Sequence, residues 1–202
     1  AILTLTLWQW TVGGRPFFES IRFVSFNATS MMTGTGFTTT DFGQWGGFAV
    51  AVIFFLMVVG GCAGSTTCGI KIFRFQVIYA SARCQIGRLL QPHGVFIPYY
   101  NKKPIPPDVS EAVMGFFFLF ALAFAILALG LSLLGLDFLT SMSGAASAIA
   151  NVGPGLGNEI GPASTFASLP NPAKWLLSAG MLVGRLELYT VLVLFAPAFW
   201  RA

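Results

Sequence analysis

Charge is scarce in this chain. Only 9% of its 202 residues are Asp, Glu, Lys or Arg, where soluble domains carry about 25%, while 55% are hydrophobic and mean hydropathy is +0.78. That balance excludes a soluble globular domain and makes lipid the solvent in which every backbone group must find a partner. Histidine is limited to His93 and cysteine to Cys62, Cys68 and Cys84. With no second imidazole and no Cys-x-x-Cys pair, they read as a loop histidine and small apolar side chains, not as a metal site. Arg185 and Glu187 are the chief ionisable residues at membrane depth, too few for acid, base or metal chemistry, which argues against an enzyme and its cofactors. The run Leu3-Thr4-Leu5-Thr6-Leu7-Trp8 has no basic stretch before it and no small-residue cleavage site after it, so no cleavable signal peptide is read there. It is also shorter than the roughly 20 apolar residues of a span, and is taken as the outer end of a truncated helix from a longer protein.

What the chain does have is glycine, 23 residues of it, placed unevenly. One polar, glycine-bearing run is Ser30-Met31-Met32-Thr33-Gly34-Thr35-Gly36-Phe37-Thr38, and a second is Ala150-Asn151-Val152-Gly153-Pro154-Gly155-Leu156-Gly157. Non-helical backbone at membrane depth is tolerated only where protein or a watery cavity surrounds it. Glycine lets such backbone turn its carbonyls inward, and a ring of carbonyls can replace the hydration shell of a potassium ion. A lone Gly-x-Gly would equally serve helix packing. The second copy, at an equivalent place in a repeated layout, favours two pore loops and a cation pathway.

The remaining segments fit around these loops. Gly13-Gly14-Arg15-Pro16 is a turn, after which Phe17 to Met32, with Glu19, Arg22, Asn27 and Ser30, is too short and polar to span and reads as a re-entrant helix. Trp45 to Val59 is half a crossing, interrupted by Gly60-Gly61-Cys62-Ala63-Gly64-Ser65-Thr66-Thr67-Cys68-Gly69, whose Gly, Ser and Thr undermine helix. From the residues alone this break is either a packing seam or a functional loop. Helix is expected to resume at Ile70 and to end near Ser81. Arg83, Arg88, Lys102 and Lys103 then gather in a Pro-containing connector, cytoplasmic by the positive-inside rule; the net charge of +4 is a matter of topology there, not of nucleic acid. Val113 to Leu134 is a span, Asp137 to Ala150 a second re-entrant helix, Glu159 to Pro172 an outer turn, and Trp175 to Trp200 a crossing with Arg185 and Glu187 near its middle. An arginine at mid-helix costs about 2.5–3.5 kcal/mol on insertion scales and so faces protein or water, as part of an interhelical ion pair or of a functional site. Phe and Trp, 21 and 5 residues, suit lipid-facing surfaces and interfacial belts.

Helix, re-entrant helix, glycine loop and helix therefore occur twice in the same orientation, a parallel repeat about the membrane normal. The expected fold class is an all-α integral membrane protein built from repeated helix, re-entrant pore helix, filter loop and helix units. The units are residues 1–108, the first helix truncated and the connector included, and residues 109–202. Two loops cannot enclose an ion, so either two further repeats lie upstream or two chains combine; the missing half is the favoured expectation.

These residues resemble the Trk/Ktr/HKT superfamily of potassium uptake proteins, and within it the TrkH-type transmembrane subunit. Thr33-Gly34-Thr35-Gly36-Phe37-Thr38-Thr39-Thr40-Asp41-Phe42 looks like the filter loop of a third pore repeat, and Gly60 to Lys71 like the interrupted second helix of that repeat. Gly184-Arg185-Leu186-Glu187 looks like the inner helix of a fourth repeat, and Asn151-Val152-Gly153-Pro154-Gly155 completes a likeness that covers nearly the whole chain. Thr33-Gly34 departs from the hydroxyl residues commoner at that level, and Asn-Val-Gly-Pro-Gly from the potassium-channel Thr-Val-Gly-Tyr-Gly. The resemblance implies a four-repeat pore of which this chain is the C-terminal half. Its filter would comprise Thr33, Gly34, Thr35, Gly36, Asn151, Val152 and Gly153, with Gly36 and Gly153 as filter glycines and Gly34, Thr35, Asn151 and Val152 supplying carbonyls. It implies a gate of Gly60, Gly61, Gly64, Ser65, Thr66, Thr67 and Gly69 faced by Arg185. Potassium is then the transported ion, with no other metal and no cofactor. The implied setting is the inner (plasma) membrane, crossed several times, with the N-terminal half of the same protein, a second copy in a homodimer and a cytosolic nucleotide-binding regulatory subunit as partners. An ion-coupled cation symporter of the same superfamily, or a non-conducting membrane scaffold, are the alternative functions.

Overall fold

A computed structural model of the chain describes residues 1–65, 67–186, 188–195 and 197–200. Among them eight α-helices follow in order: α1 (Ile2–Thr11), α2 (Phe17–Thr33), α3 (Gly47–Val58), α4 (Ile72–Leu90), α5 (Pro107–Leu133), α6 (Phe138–Ala150), α7 (Asn171–Arg185) and α8 (Leu188–Phe195). The fold is the expected mainly helical one. Among the described residues only α5, 27 residues long with an 18-residue stretch of mean hydropathy 2.7, is long and apolar enough to cross a membrane. Pro107 opens it with φ already set for helix, and Asp108 lies in its first turn, where the helix dipole favours an anion. The sequence expectation began at Val113; the polar first turns are helical as well.

The two re-entrant segments form as helices of 17 and 13 residues. At 1.5 Å per residue they reach about 25 and 20 Å, less than the roughly 30 Å of a hydrocarbon core. Pro16 precedes α2, and the Asp137 carboxylate caps α6 by accepting from the Thr140 N–H at 3.4 Å. Helix α6 is buried along almost all of its length, because its Ser, Ala and Gly let α5 and α7 come close. At Gly180 a Cβ would sit 2.6 Å from Leu127 and 3.3 Å from the Cβ of Ala148, and at Gly184 it would strike the Ile149 carbonyl. Gly180 and Gly184 thus form a small-xxx-small seam on α7 against the end of α6.

Three expectations are corrected. Helix does not resume at Ile70: α3 stops at Val58 and α4 starts at Ile72, and Ile70 pairs with Val59 in a parallel bridge. Gly60 N–H donates to the Ile70 carbonyl at 2.7 Å, Ile70 N–H to Val58 at 2.9 Å and Ile72 N–H to Gly61 at 3.1 Å. The break is a loop closed by a hydrogen-bonded neck. Second, α4 runs well past Ser81 to Leu90, held by a Ser81–Ser110 hydroxyl pair at 2.8 Å and by Arg88 donating to the Phe96 carbonyl at 3.1 Å. The connector also contains a hairpin, Tyr99–Tyr100 against Lys103–Pro104, turned by Asn101 and Lys102 at φ 49° and 65°, the left-handed pair that a two-residue hairpin turn demands. Third, the last crossing is not one helix. Helix α7 ends at Arg185, Leu186 leaves helical geometry, and α8 is separate. Arg185 therefore stands at a helix C-terminus, where its charge complements the dipole; Glu187 lies outside the described residues.

Buried apolar side chains collect in two main clusters. One unites Leu5, Val24, Met31, Phe42, Ile53 and Met57 of α1 to α3 with Val152 and Leu156. The other unites Phe116, Leu131, Ile149 and Leu177 of α5 to α7 with Ile70. Each cluster borrows residues from the other half, so the halves lock at the second glycine loop and at the neck of the break.

Candidate functional site

Both short helices end alike. At the end of α2, Gly34 turns left-handed (φ 69°), its N–H donating to Met31 at 3.3 Å and the Thr35 N–H to Ser30 at 3.0 Å. At the end of α6, Asn151 turns left-handed (φ 51°), its N–H donating to Ala148 at 3.2 Å and the Val152 N–H to Ser147 at 3.1 Å. This is the same helix-terminating hydrogen-bond pattern at the same offsets. Each turn is followed, two residues on, by a second left-handed position: Gly36 at φ 78° and Gly153 at φ 114°. Asparagine tolerates the first such position; a branched or bulky side chain would not suit the second.

The fold brings the two loops together. A Cβ on Gly34 would lie 3.7 Å from the Asn151 carbonyl oxygen, and one on Gly153 would lie 3.7 Å from the Gly36 Cα. A Cβ on Gly36 would collide with the Val152 carbonyl oxygen. The sequence-expected filter residues Gly34, Gly36, Asn151, Val152 and Gly153 thus meet backbone to backbone. Thr33 and Thr35 join them through a hydroxyl pair at 2.7 Å and remain exposed.

The support behind the loops comes from polar side chains, to none of which the sequence reading gave a bracing role. Asn27, fully buried, accepts from the Thr39 N–H at 3.1 Å and donates to the Thr39 hydroxyl at 2.9 Å. Ser143 accepts from the Leu156 N–H at 2.8 Å and donates to its carbonyl at 3.0 Å. Asn151 Nδ2 donates to the Met181 carbonyl at 3.0 Å, tying the second loop to α7. Thr38 Oγ1 donates to the Pro162 carbonyl at 3.2 Å, tying the first loop to the outer turn of the other half.

The pinned break lies against the ends of both short helices. Gly61 and Thr67 share one cavity, of ≈ 140 Å³, with Thr29, Met32 and Thr33 of α2. Ser65, Thr67, Cys68, Gly69 and Lys71 line another, of ≈ 200 Å³, with Ile149 at the end of α6, Gly184 and Arg185. Arg185 Nη1 donates to Cys68 Sγ at 3.1 Å, and Arg74, on the same cavity, stacks its guanidinium 3.7 Å over the Phe116 ring. Gly60 and Gly69 are required by close approach: a Cβ on Gly60 would stand 2.6 Å from the Cys68 carbonyl, and one on Gly69, itself at φ 81°, 2.8 Å from that of Val58. Gly64, also at φ 81°, has open space around it. Of the expected gate residues, Ser65, Thr67, Gly69 and Arg185 converge on one cavity, Gly60 and Gly61 form its neck, Gly64 is at the tip, and Thr66 lies outside the described residues. Cys68, read from sequence as an inert apolar side chain, accepts the arginine's hydrogen bond instead; its place between Thr67 and Gly69 was the one signal.

A protein-family model described as TrkH, cation transport protein, matches residues 2–202. The chain belongs to the TrkH family. Among curated relatives, the Trk system potassium uptake protein TrkI of Halomonas elongata is 54% identical over 99% of this chain and 40% of its own length. The Trk system potassium uptake protein TrkH of Escherichia coli strain K12 is 36% identical over 99% of this chain and 41% of its own. The crystal structure of the potassium transporter TrkH from Vibrio parahaemolyticus matches with a TM-score of 0.89 at 35% identity, covering 99% of this chain and 42% of that one. This TrkH-family chain spans about two fifths of the length of these relatives. It is a membrane protein of a transport family, and these relatives are named as uptake proteins, not as enzymes.

Proposed function

We propose that the chain supplies two walls of a gated potassium pathway in an uptake protein of the inner membrane, residues 1–108 as a third pore repeat and 109–202 as a fourth. The observation that carries this reading is the contact of two loops with the same alternation of left-handed positions, Gly34 and Gly36 against Asn151 and Gly153. Both follow the C-termini of short helices, whose negative dipole ends favour a cation nearby. Carbonyls of Gly34, Thr35, Asn151 and Val152 would replace water around the ion, and the N-terminal half would supply the two missing walls. The break at Gly60 to Gly69 would close the passage beneath, with the Arg185 charge raising the barrier to a cation. A homodimer and a cytosolic nucleotide-binding ring acting on the connector complete the proposal.

The test is potassium against sodium flux through the full-length protein in liposomes. Gly36→Ser and Gly153→Ser each demand a left-handed serine, a strain of about 1–2 kcal/mol, and are expected to lower potassium preference about tenfold. Gly36→Ser has the larger effect because its Cβ meets the Val152 carbonyl. Unchanged preference in both variants would remove the filter assignment.

A further inference from the structure

The two short helices carry a serine at the same place, Ser30 in α2 and Ser147 in α6, each accepting through its backbone carbonyl the N–H that ends its helix. Their hydroxyls do opposite things. Ser147 Oγ, on a residue 1% exposed, donates to the Gly153 carbonyl at 2.9 Å and accepts from the Gly153 N–H at 3.2 Å. Ser30 Oγ, on a residue 6% exposed, has no hydrogen-bond partner among the described residues; the Gly36 N–H reaches only the Ser30 backbone carbonyl, at 3.5 Å.

The geometry points to Ser147 as a specificity-determining positioning residue: its hydroxyl grips both polar groups of Gly153 from behind and sets the wall against which the ion is measured. This rests on the filter reading above. Because the Gly153 carbonyl is turned into the protein at Ser147, it is withheld from the ion, and Val152 becomes the last carbonyl of that loop able to face inward. Ser143, one helical turn before Ser147 and so on the same face, grips both polar groups of Leu156 in the same way. The second loop is strapped twice, at Gly153 and at Leu156. The first is held further along, by Asn27 at Thr39 and Thr40 and by Thr38 at the Pro162 carbonyl, while the hydroxyl that matches Ser147, that of Ser30, has no partner among the described residues and leaves Gly36 without a side-chain strap. A carbonyl cage discriminates against a smaller cation only to the extent that it resists closing around it, whether size or carbonyl field sets the preference. The strapped loop supplies that resistance, and the first loop follows it.

The experiment compares potassium and sodium flux through full-length protein in liposomes for Ser147→Ala, Ser147→Cys and Ser30→Ala, with thermal stability in detergent measured in parallel. Ser147→Ala is expected to lower the potassium-to-sodium ratio about fivefold, the factor that one net hydrogen bond of ordinary strength represents. Ser30→Ala keeps the parent ratio, and Ser147→Cys, near in size but a weak donor and acceptor, falls between. If Ser147→Ala does not fold, Ser147→Cys alone decides: a lowered ratio supports the inference and an unchanged one overturns it. Equal shifts from Ser30→Ala and Ser147→Ala would also overturn it, since any hydroxyl behind the loops would then matter alike. Gly153→Ser in the same assay separates the two levels. If it lowers the ratio while the Ser147 variants do not, this inference falls and the filter stands; if Gly153→Ser and Gly36→Ser both leave the ratio unchanged, the filter reading falls with it.

Discussion

Helices α3 and α7 occupy corresponding places after the two glycine loops, and both stop short, at Val58 and at Arg185. They are broken by opposite means. After α3 the chain spends thirteen residues, Val59 to Lys71, on a loop whose neck is hydrogen-bonded shut. After α7, Leu186 leaves helical geometry next to a cation, and helix is found again from Leu188. One break contributes backbone and hydroxyls to the space beneath the loops, the other a charge, and they meet at the Arg185–Cys68 hydrogen bond. On the proposed two-repeat reading, equivalent positions hold complementary halves of one device, which two identical repeats could not.

The largest effect is expected where α7 leans on α6. Gly184→Ala places a methyl against the Ile149 carbonyl, backbone that cannot swing aside, and should lower stability by about 2–3 kcal/mol. Gly64→Ala, left-handed but in open space, should cost about 1 kcal/mol. Detergent melting of full-length protein measures both, and equal losses would mean that the helix seam is no tighter than the loop tip. Next, shortening the loop between Gly61 and Thr67 removes the backbone plug and should raise potassium flux about tenfold with ion preference kept, a barrier change of roughly 1.4 kcal/mol. Arg185→Ala should raise flux about fivefold, since charge rather than bulk is lost and solvent screens part of it. If folded variants of both kinds conduct no faster than a closed parent, the break is a packing feature. The smallest change is Cys68→Ala, which removes the arginine's acceptor but not its charge and should raise flux about twofold. An effect exceeding that of Arg185→Ala would reverse the roles assigned to the two breaks.

The sequence made the loops legible because a polar, glycine-bearing run recurs at an equivalent place in the chain, and both helix ends fall within a residue of expectation. It hid the neck of the break. The Val59–Ile70 bridge joins two β-branched residues that look like ordinary helix interior, and only the fold shows them paired. The split of the last crossing was hidden too, since Gly184, two residues before Leu186, reads equally as a glycine of helix packing. Ser143 and Ser147 were visible only as small residues suited to close packing; that they strap a loop depends on where Gly153 and Leu156 return, which helical periodicity does not encode. Cys68 was discounted as apolar because its partner lies on another helix.

The bonded neck of the break also bears on how this segment can change over generations. Closing a loop is an entropic cost that grows only slowly with its length, and here the closure is secured by Gly60, Gly61, Ile70 and Ile72, not by the tip. Residues from Cys62 to Thr67 can therefore gain, lose or exchange side chains while α3 and α4 keep their seats. If the break is the gate proposed above, the neck makes its tip an interchangeable part, and how firmly the passage is shut can be retuned by mutation without renegotiating the architecture that shapes it.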